Sequence, residues 1–453
     1  MHKFIIYTLL LLPLVLSGCK KDWLEAKNDL TLSVPSTVSD LQKLLDNNTV
    51  FNVNSPAFGE LGVDDHYLLA TYWQGRFIVE KNAYVWAKDF YEGTPSTYYT
   101  DWTNPYSQVY YANTVLEGSA KLSNQSMPEI QNLTGSALFY RSFAFYDVAT
   151  LFAKPYKAST ATNEPGIPLR LNSNFNDASV RATNKQTYDQ ITGDLKIAAG
   201  LLPVTPLYKT RPSRAAAYAL LARVYLSMEL YDSSLKYADS CLITRSALLN
   251  YNNIKNSTTP PFQLFNDEVI YHNTLGAYAS LRSANGLVDS LLYQSYNSND
   301  LRKTLYFNVG ATAVNFKGSY NPSTSILFNG LATDEIYLAK AESQARTGKI
   351  TEAMLTLNTL LGQRWKTGTF NNFTAATETE ALTIILAERR KELLFRNIRW
   401  SDLRRLNNDD RFKKTLKRVL GTDVYELAPG DNRYTMPIPP DVIQLSGMQQ
   451  NQR

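Results

Sequence analysis

Asp64 and Asp65 are adjacent carboxylates in a stretch that also carries Tyr67, Tyr72, Trp73, Arg76, Trp86, Tyr98 and Tyr99. Two chemistries are open to such a set. Paired carboxylates hydrolyse a glycosidic bond when they flank it, one as the acid and one as the nucleophile or base. Neighbouring side chains do not normally converge on one bond, so a loop cap or a hydrogen-bonding pair is the plainer reading of Asp64 and Asp65. The second chemistry is binding. Flat rings with polar tips suit sugars, which present a polar rim and an apolar C–H face, and a few directional hydrogen bonds then fix orientation. The chain is rich in such surface, with 29 Tyr, 19 Phe and 6 Trp. Tyr72, Trp73, Tyr98 and Tyr99 are expected to stack on a ligand, with Asp64 and Arg76 as polar anchors. Trp86 and Trp102 lean toward the core, and Trp73, beside Gln74-Gly75, toward an exposed loop.

Other chemistries lack their residues. Behind the leader only His66 and His272 remain, no Cys/His set has metal-ligand spacing, and there is neither a Gly-rich phosphate loop nor a Gly-x-Ser-x-Gly elbow. No catalytic residue, metal or cofactor is expected. The formal net charge of +5 over 453 residues is thinly spread and does not argue for nucleic acid. Arg389, Arg390 and Lys391 look basic alone, as do Arg404 and Arg405, but Glu388, Glu392 and Asp402 interleave with them. That alternation reads as an ion-paired helix face.

The first residues speak to location. His2 and Lys3 precede an apolar run from Phe4 to Leu16, broken by Pro13, and Leu16-Ser17-Gly18-Cys19 closes it. Such a run is shorter than the ~20 residues of a spanning helix and reads as a secretion signal, residues 1–18, that is removed. The last four residues resemble a bacterial lipobox, which makes Cys19 the expected lipid anchor, carrying palmitate, with Lys20-Lys21-Asp22 as a polar tether. Cys241 is then the one remaining thiol, so no internal disulfide can form and stability must come from core burial.

Positioning these residues requires a scaffold, and its clearest trace is a repeat. Tyr218, Leu221, Ala222 and Tyr225, followed by Tyr231, Ser234, Leu235, Ala238 and Cys241, have the rhythm of tetratricopeptide hairpins. Tyr337, Ala341, Gly348, Ala353 and Leu357 repeat it. Small residues recur where helices approach within about 8–10 Å, and Cys241 is read as one of these packing positions. Further helices are expected at Asp40–Leu45, Tyr106–Leu116, Ala137–Thr150 and Tyr188–Leu202, the last stopped by Pro203. The stretch up to residue 105 shows little helical period and reads as loops. Such a scaffold alone would suggest only a helical interaction protein.

The segment ERRKELLFRNIRWSDLRR, residues 388–405, resembles the C-terminal signature of SusD/RagB proteins through Glu388, Arg389, Glu392, Leu393, Arg399, Asp402 and Leu403. Arg396 and Asn397 replace the usual Glu-Gly; Asn is the second choice to Gly for a left-handed residue, but a charge pair must be rebuilt. Trp102, Tyr106, Ala112 and Asn113; Ala137, Tyr140 and Arg141; Asp289, then Asp300-Leu301-Arg302; and Pro437-Ile438-Pro439 through Asn451 resemble further family segments, in order. Ser446 and Gly447 replace the usual Asn-Pro near the end.

The resemblance implies a mostly α fold: a tetratricopeptide-like helical-hairpin scaffold, a loop-rich ligand-binding region and few short strands. It implies one domain over 19–453, with a loop-rich part (19–105), repeat helices (106–250 and 331–362) and a C-terminal part (251–330 and 363–453). Glu388, Arg389, Glu392, Arg399 and Asp402 become a structural ion-pair signature. Function follows as a cell-surface lipoprotein of the outer membrane, not an enzyme, that binds an oligosaccharide and passes it to a SusC-like TonB-dependent transporter. A peptide receptor of the same architecture, a surface glycosidase and a purely structural adaptor are the competing readings.

Overall fold

The computed structural model describes residues 35–256 and 260–453. The leader, Cys19 and the Lys20-Lys21-Asp22 tether lie outside the described residues.

The repeat helices form two hairpins, Arg214–Ser227 with Tyr231–Thr244 and Thr333–Arg346 with Ile350–Leu361. Small residues let each pair close: Ala222, Ala238 and Cys241 are fully buried in the first, Ala341 and Ala353 in the second. The Ser234 hydroxyl donates to the Ala222 carbonyl at 3.0 Å, so a buried polar group is satisfied at the crossing itself. Both hairpins turn through a left-handed residue two positions before the second helix. Gly348 fills it in one (φ 80°) and Glu229 in the other (φ 60°).

Helices Thr100–Ala120, Pro128–Phe152 and Asn184–Leu201 extend the stack, each packed on the next, and the third packs on Arg214–Ser227. The first begins six residues before the expected Tyr106 and runs through Pro105. Proline removes one helical N–H, yet upstream anchoring outweighs that loss, because the buried Asp101 carboxylate accepts the Ala57 and Phe58 amides, both at 2.7 Å. Pro128, by contrast, suits the first position of its helix. Capping boxes start two others, at Thr183 with Gln186 and Thr377 with Glu380.

Residues 35–99 are less loop-like than their sequence. They hold short helices at Val38–Leu45, Asn48–Phe51, Phe58–Gly62, Ala70–Gln74 and Ile78–Tyr84. One or two turns leave no readable period. Phe58–Gly62 lies on the Trp400 indole, and a Cβ at Gly59 or Gly62 would come within about 3 Å of that ring. Trp86, also buried, donates its indole N–H to the Gly62 carbonyl at 2.9 Å.

Strands are few and short. Four of them, in the order His66–Tyr67, Leu287–Val288, Val314–Phe316 and Phe307–Val309, pair antiparallel and tie the N-terminal helices to residues 280–316. A hairpin, Leu416–Leu420 with Asp423–Leu427, is tied to that sheet by Arg418, which donates to the His66 carbonyl at 2.7 Å.

The signature residues lie on Glu378–Glu392 and Arg399–Leu406. Arg302 binds Asp300, Glu388 and Glu392 at 2.7, 2.5 and 3.0 Å, and Arg364 binds Glu268 and Glu392 at 2.8 and 2.7 Å. Asp402 receives Arg389 and Arg405, both at 2.8 Å. Buried charges require such partners, since leaving one unpaired costs several kcal/mol. The turn between the helices is left-handed at Asn397 (φ 59°) and also at Phe395 (φ 56°). Arg396, standing where an acid is usual, pairs with Asp334 at 3.2 Å and lies over the Tyr320 and Phe328 rings at 4.8 and 4.7 Å.

Candidate functional site

Ala70–Gln74 and Ile78–Tyr84 form an elbow, the second helix packed on Phe58–Gly62, with His66 of the four-stranded sheet against the Tyr84 ring and the Leu416–Leu427 hairpin beside it. Trp73 lies half-buried along this elbow. Its indole N–H donates to the Lys81 carbonyl at 3.3 Å, the Lys81 ammonium sits 5.8 Å from the ring centroid, and Tyr425 of the hairpin approaches to 6.3 Å. Tyr72 is also half-buried, and its hydroxyl donates to the Ala279 carbonyl at 3.1 Å. The Arg76 guanidinium stacks 4.2 Å from the Tyr72 centroid. Phe77, 57% exposed, packs its ring on half-buried Tyr98 at 4.9 Å. The elbow thus presents Tyr72 and Trp73 with their polar tips tied down and part of their faces open. Tyr72, Trp73, Arg76 and Tyr98 all belong to it.

Asp64 and Tyr99 do not, which corrects two expected roles. The Asp64 carboxylate is bound by Arg399 at 2.8 Å, Lys414 at 2.7 Å and Arg390 at 3.3 Å. Burial works to raise its pKa, but Arg399 and Arg390 overcome this and hold the carboxyl well below its usual range. An acid held by three cations is a tie between the N-terminal helices and the signature helix, not a free acceptor. Asp65, fully buried, pairs with Arg390 at 2.8 Å. Tyr99 is only 7% exposed; its ring packs edge-on to Tyr91 and its hydroxyl donates to the Thr94 carbonyl. Trp86 and Trp102 are likewise buried, at 1% and 6% exposure.

A second concave region carries a signal that the sequence reading passed over. Trp102, Tyr106 and Tyr110, four residues apart on one helix face, line a cavity of about 560 Å³ with Phe175, Val442, Leu445 and the 169–179 loop. Its polar groups are mostly engaged within the protein. Asn113 donates to the Arg170 and Asn172 carbonyls and accepts from Arg141, while Arg170 donates to Asp177, Ser179 and Asn174. The elbow differs in that, among the described residues, Arg76 and Lys81 lie over its rings without an ion pair.

Among the described residues, one carboxylate trio, Glu268, Asp334 and Glu392, brings oxygens within 4.8 Å of one another. Arg364, Arg302 and Arg396 already compensate it. Burial pushes Glu268 up to about 7 even against Arg364. The trio is therefore a buried part of the ion-pair network. Also among the described residues, no helix is long and apolar enough to cross a membrane.

Comparison with known proteins gives consistent matches. Residues 22–226 match a family model described as starch-binding associating with outer membrane, of the SusD-like group, and residues 333–452 match that of the SusD family. A SusD-like protein P2 from Formosa agariphila is 23% identical over 418 residues, covering 77% of this chain and 79% of that protein. A putative sugar binding protein from Bacteroides vulgatus superposes with a TM-score of 0.74 at 21% identity, covering 93% of this chain and 99% of the other. A SusD superfamily protein from Bacteroides fragilis gives 0.73 at 20% identity, with coverage of 92% and 99%. The surface glycan-binding protein A from Bacteroides uniformis gives 0.69 at 17%, also with coverage of 92% and 99%. Family models at both ends, a relative along most of the length and the shared helical architecture agree: the chain belongs to the SusD family.

Proposed function

We propose that this protein is a non-catalytic glycan receptor of the cell surface, anchored in the outer membrane through a lipidated Cys19 and facing the exterior. It captures an oligosaccharide and passes it to a SusC-like TonB-dependent transporter. After removal of residues 1–18, residues 19–453 act as one domain, whose ligand surface is Tyr72, Trp73, Arg76 and Tyr98. The observation that carries this reading is the elbow itself: partly open rings beside the Arg76 guanidinium, set on short helices rather than in the helical stack. Rings supply the apolar contact that a sugar face needs, and fixed polar groups supply orientation. The sugar-binding and glycan-binding names of two structurally similar proteins point the same way. Hydrolysis finds less support, because Asp64 and Asp65 are already held by Arg399, Lys414 and Arg390.

Calorimetry on protein starting at Lys20, against a panel of oligosaccharides and short peptides, tests the proposal. Binding of an oligosaccharide, weakened about 10-fold or more in a folded Trp73→Ala variant, is the expected result; such a change corresponds to about 1.4 kcal/mol. Binding of peptides alone, release of new reducing ends, or an unchanged affinity in Trp73→Ala would each overturn it.

A further inference from the structure

Many guanidiniums of this protein find carboxylates, as Arg411 does at the surface with Asp409 and Glu378, and others, such as Arg181, Arg404 and Arg418, donate to backbone carbonyls. Among the described residues, Arg76 and Arg282 take part in no ion pair, and Arg76 makes one long hydrogen bond, from Nε to the Tyr72 carbonyl at 3.4 Å. Arg76 lies over the Tyr72 ring, and Arg282 sits on the loop that holds the Tyr72 hydroxyl, its amide donating to the same Ala279 carbonyl at 3.3 Å. Burial raises the Tyr72 hydroxyl above its ordinary value, Arg76 and Arg282 pull it down, and Glu80 pushes it up. Glu80 does not pair with them: it is buried, and its Oε2 accepts from the Ser280 amide and hydroxyl at 3.0 and 2.7 Å. Asn285 fixes the loop beneath, donating to the same Ala279 carbonyl as Tyr72, at 2.9 Å. Among the described residues, Lys81, over Trp73, adds a third cation with no carboxylate partner.

A guanidinium presents a planar fork of donors that matches carboxylate or sulfate oxygens, and such charge-assisted bonds are roughly twice as strong as neutral ones. A cation laid on a ring keeps the fork directed without consuming its donors. One unpaired fork on the Tyr72 ring and a second on the loop that holds the Tyr72 hydroxyl, next to a tryptophan, therefore suit a ligand with both a ring face and a negative group.

Resting on the glycan reading above, we infer that the oligosaccharide is acidic: Arg76 and Arg282 receive a carboxylate or sulfate ester of a sugar whose ring lies against Tyr72 and Trp73. A neutral glycan would offer only hydroxyl and ring oxygens, whose bonds to a guanidinium lack the added strength of a charged acceptor.

Calorimetry with matched probes tests this. One arm uses an oligouronate and its carboxyl-reduced form, the other a sulfated galactan oligosaccharide and its desulfated form, with inorganic polyphosphate as a sugar-free polyanion. The charged member of one arm should bind about 10-fold or more tightly than its neutral partner, and the responding arm identifies the acid. The preference should shrink at high salt and vanish in Arg76→Gln/Arg282→Gln, while Trp73→Ala weakens both members. Arg282→Gln alone, at an exposed side chain, should reduce the preference in part and guards against misfolding of the double variant. Equal binding of charged and neutral probes, still sensitive to Trp73→Ala, would overturn the acidic specificity and leave the glycan reading intact. Absence of binding in every arm, or binding matched by polyphosphate and indifferent to Trp73→Ala, would overturn both.

Discussion

Arg364 and Glu392 meet at 2.7 Å with both side chains fully buried. The same carboxylate receives Arg302 at 3.0 Å through its other oxygen. Arg364 reaches on to Glu268, and Arg302 to Asp300 and Glu388. One glutamate of the C-terminal signature thus joins two arginines drawn from different parts of the chain.

Removing it should be expensive for folding and neutral for binding. Glu392→Ala leaves two buried guanidiniums short of a partner, and breaking a buried pair in this way costs about 3–5 kcal/mol. Urea unfolding should show that loss, while calorimetry on the folded variant returns the wild-type affinity. A fully stable variant that no longer binds ligand would give Glu392 a functional role and sink the structural reading.

Asp64 predicts an acid-sensitive tie. Burial alone would raise its carboxyl, but Arg399 and Arg390 hold it well below the ordinary value. A folded pKa below the unfolded one, ~3.9, means that the stabilisation is fully present above about pH 4. It is lost as pH falls toward the depressed folded value. Asp64→Asn should melt lower than wild type at pH 7, with the two melting curves converging below pH 4. A constant gap down to pH 2 would show that the carboxylate charge is not what Asp64 contributes.

The scaffold was more legible in the sequence than the site, for a physical reason. Long helices that bury one face must repeat small and apolar residues, so Ala222, Ala238 and Cys241, all fully buried, mark a crossing in the sequence itself. Asn397 likewise announced its left-handed turn, although Phe395 beside it, also at positive φ, did not. The elbow's helices are one or two turns long and leave no such trace. Asp64 looked like a free polar anchor because its partners Arg390, Arg399 and Lys414 lie more than 300 residues away in the chain. Tyr98 and Tyr99 are neighbours that point to different environments, a distinction residue type cannot carry.

Glu60 should reverse the sign of the pH effect. It is completely buried, with Oε1 lacking a hydrogen-bond partner, and burial, then Asp65, push its carboxyl up to about 8. A folded acid with a raised pKa is most stabilising below its unfolded value, about 4.3, and loses that contribution as pH rises toward 8. Glu60→Gln cannot ionise. Its stability relative to wild type should therefore climb between pH 5 and pH 8, by an amount on the order of 3–5 kcal/mol, whatever fixed cost the amide introduces. Parallel stability curves across that window would refute a protonated Glu60.

At Asn397, two substitutions separate backbone from side chain. Its φ is 59°, its amide donates to Glu60, and its carboxamide donates to the Pro56 carbonyl and the Asn329 side chain. Asn397→Gly keeps the left-handed turn and loses only the side-chain bonds, at about 1–2 kcal/mol. Asn397→Ala loses the bonds and also strains the turn by roughly 1–2 kcal/mol more. Denaturant titration should rank wild type above Gly above Ala. Ala equal to or above Gly would mean that the turn relaxes out of the left-handed region.

Cys241 offers a probe of the first repeat hairpin. It is fully buried with its Sγ 3.5 Å from the Ala215 carbonyl, and burial, followed by the nearby Glu335 charge, pushes its thiol well above the ordinary value. Only thiolate reacts quickly with disulfide reagents, so both access and ionisation protect this sulfur. In protein starting at Lys20 it is the single thiol, because the chain has two cysteines and the other is Cys19. Labelling should be negligible in the native protein over minutes and should rise in denaturant together with loss of helical signal. Rapid labelling without global unfolding would instead show that the Arg214–Ser227 and Tyr231–Thr244 helices part locally, at a small fraction of the whole domain's stability.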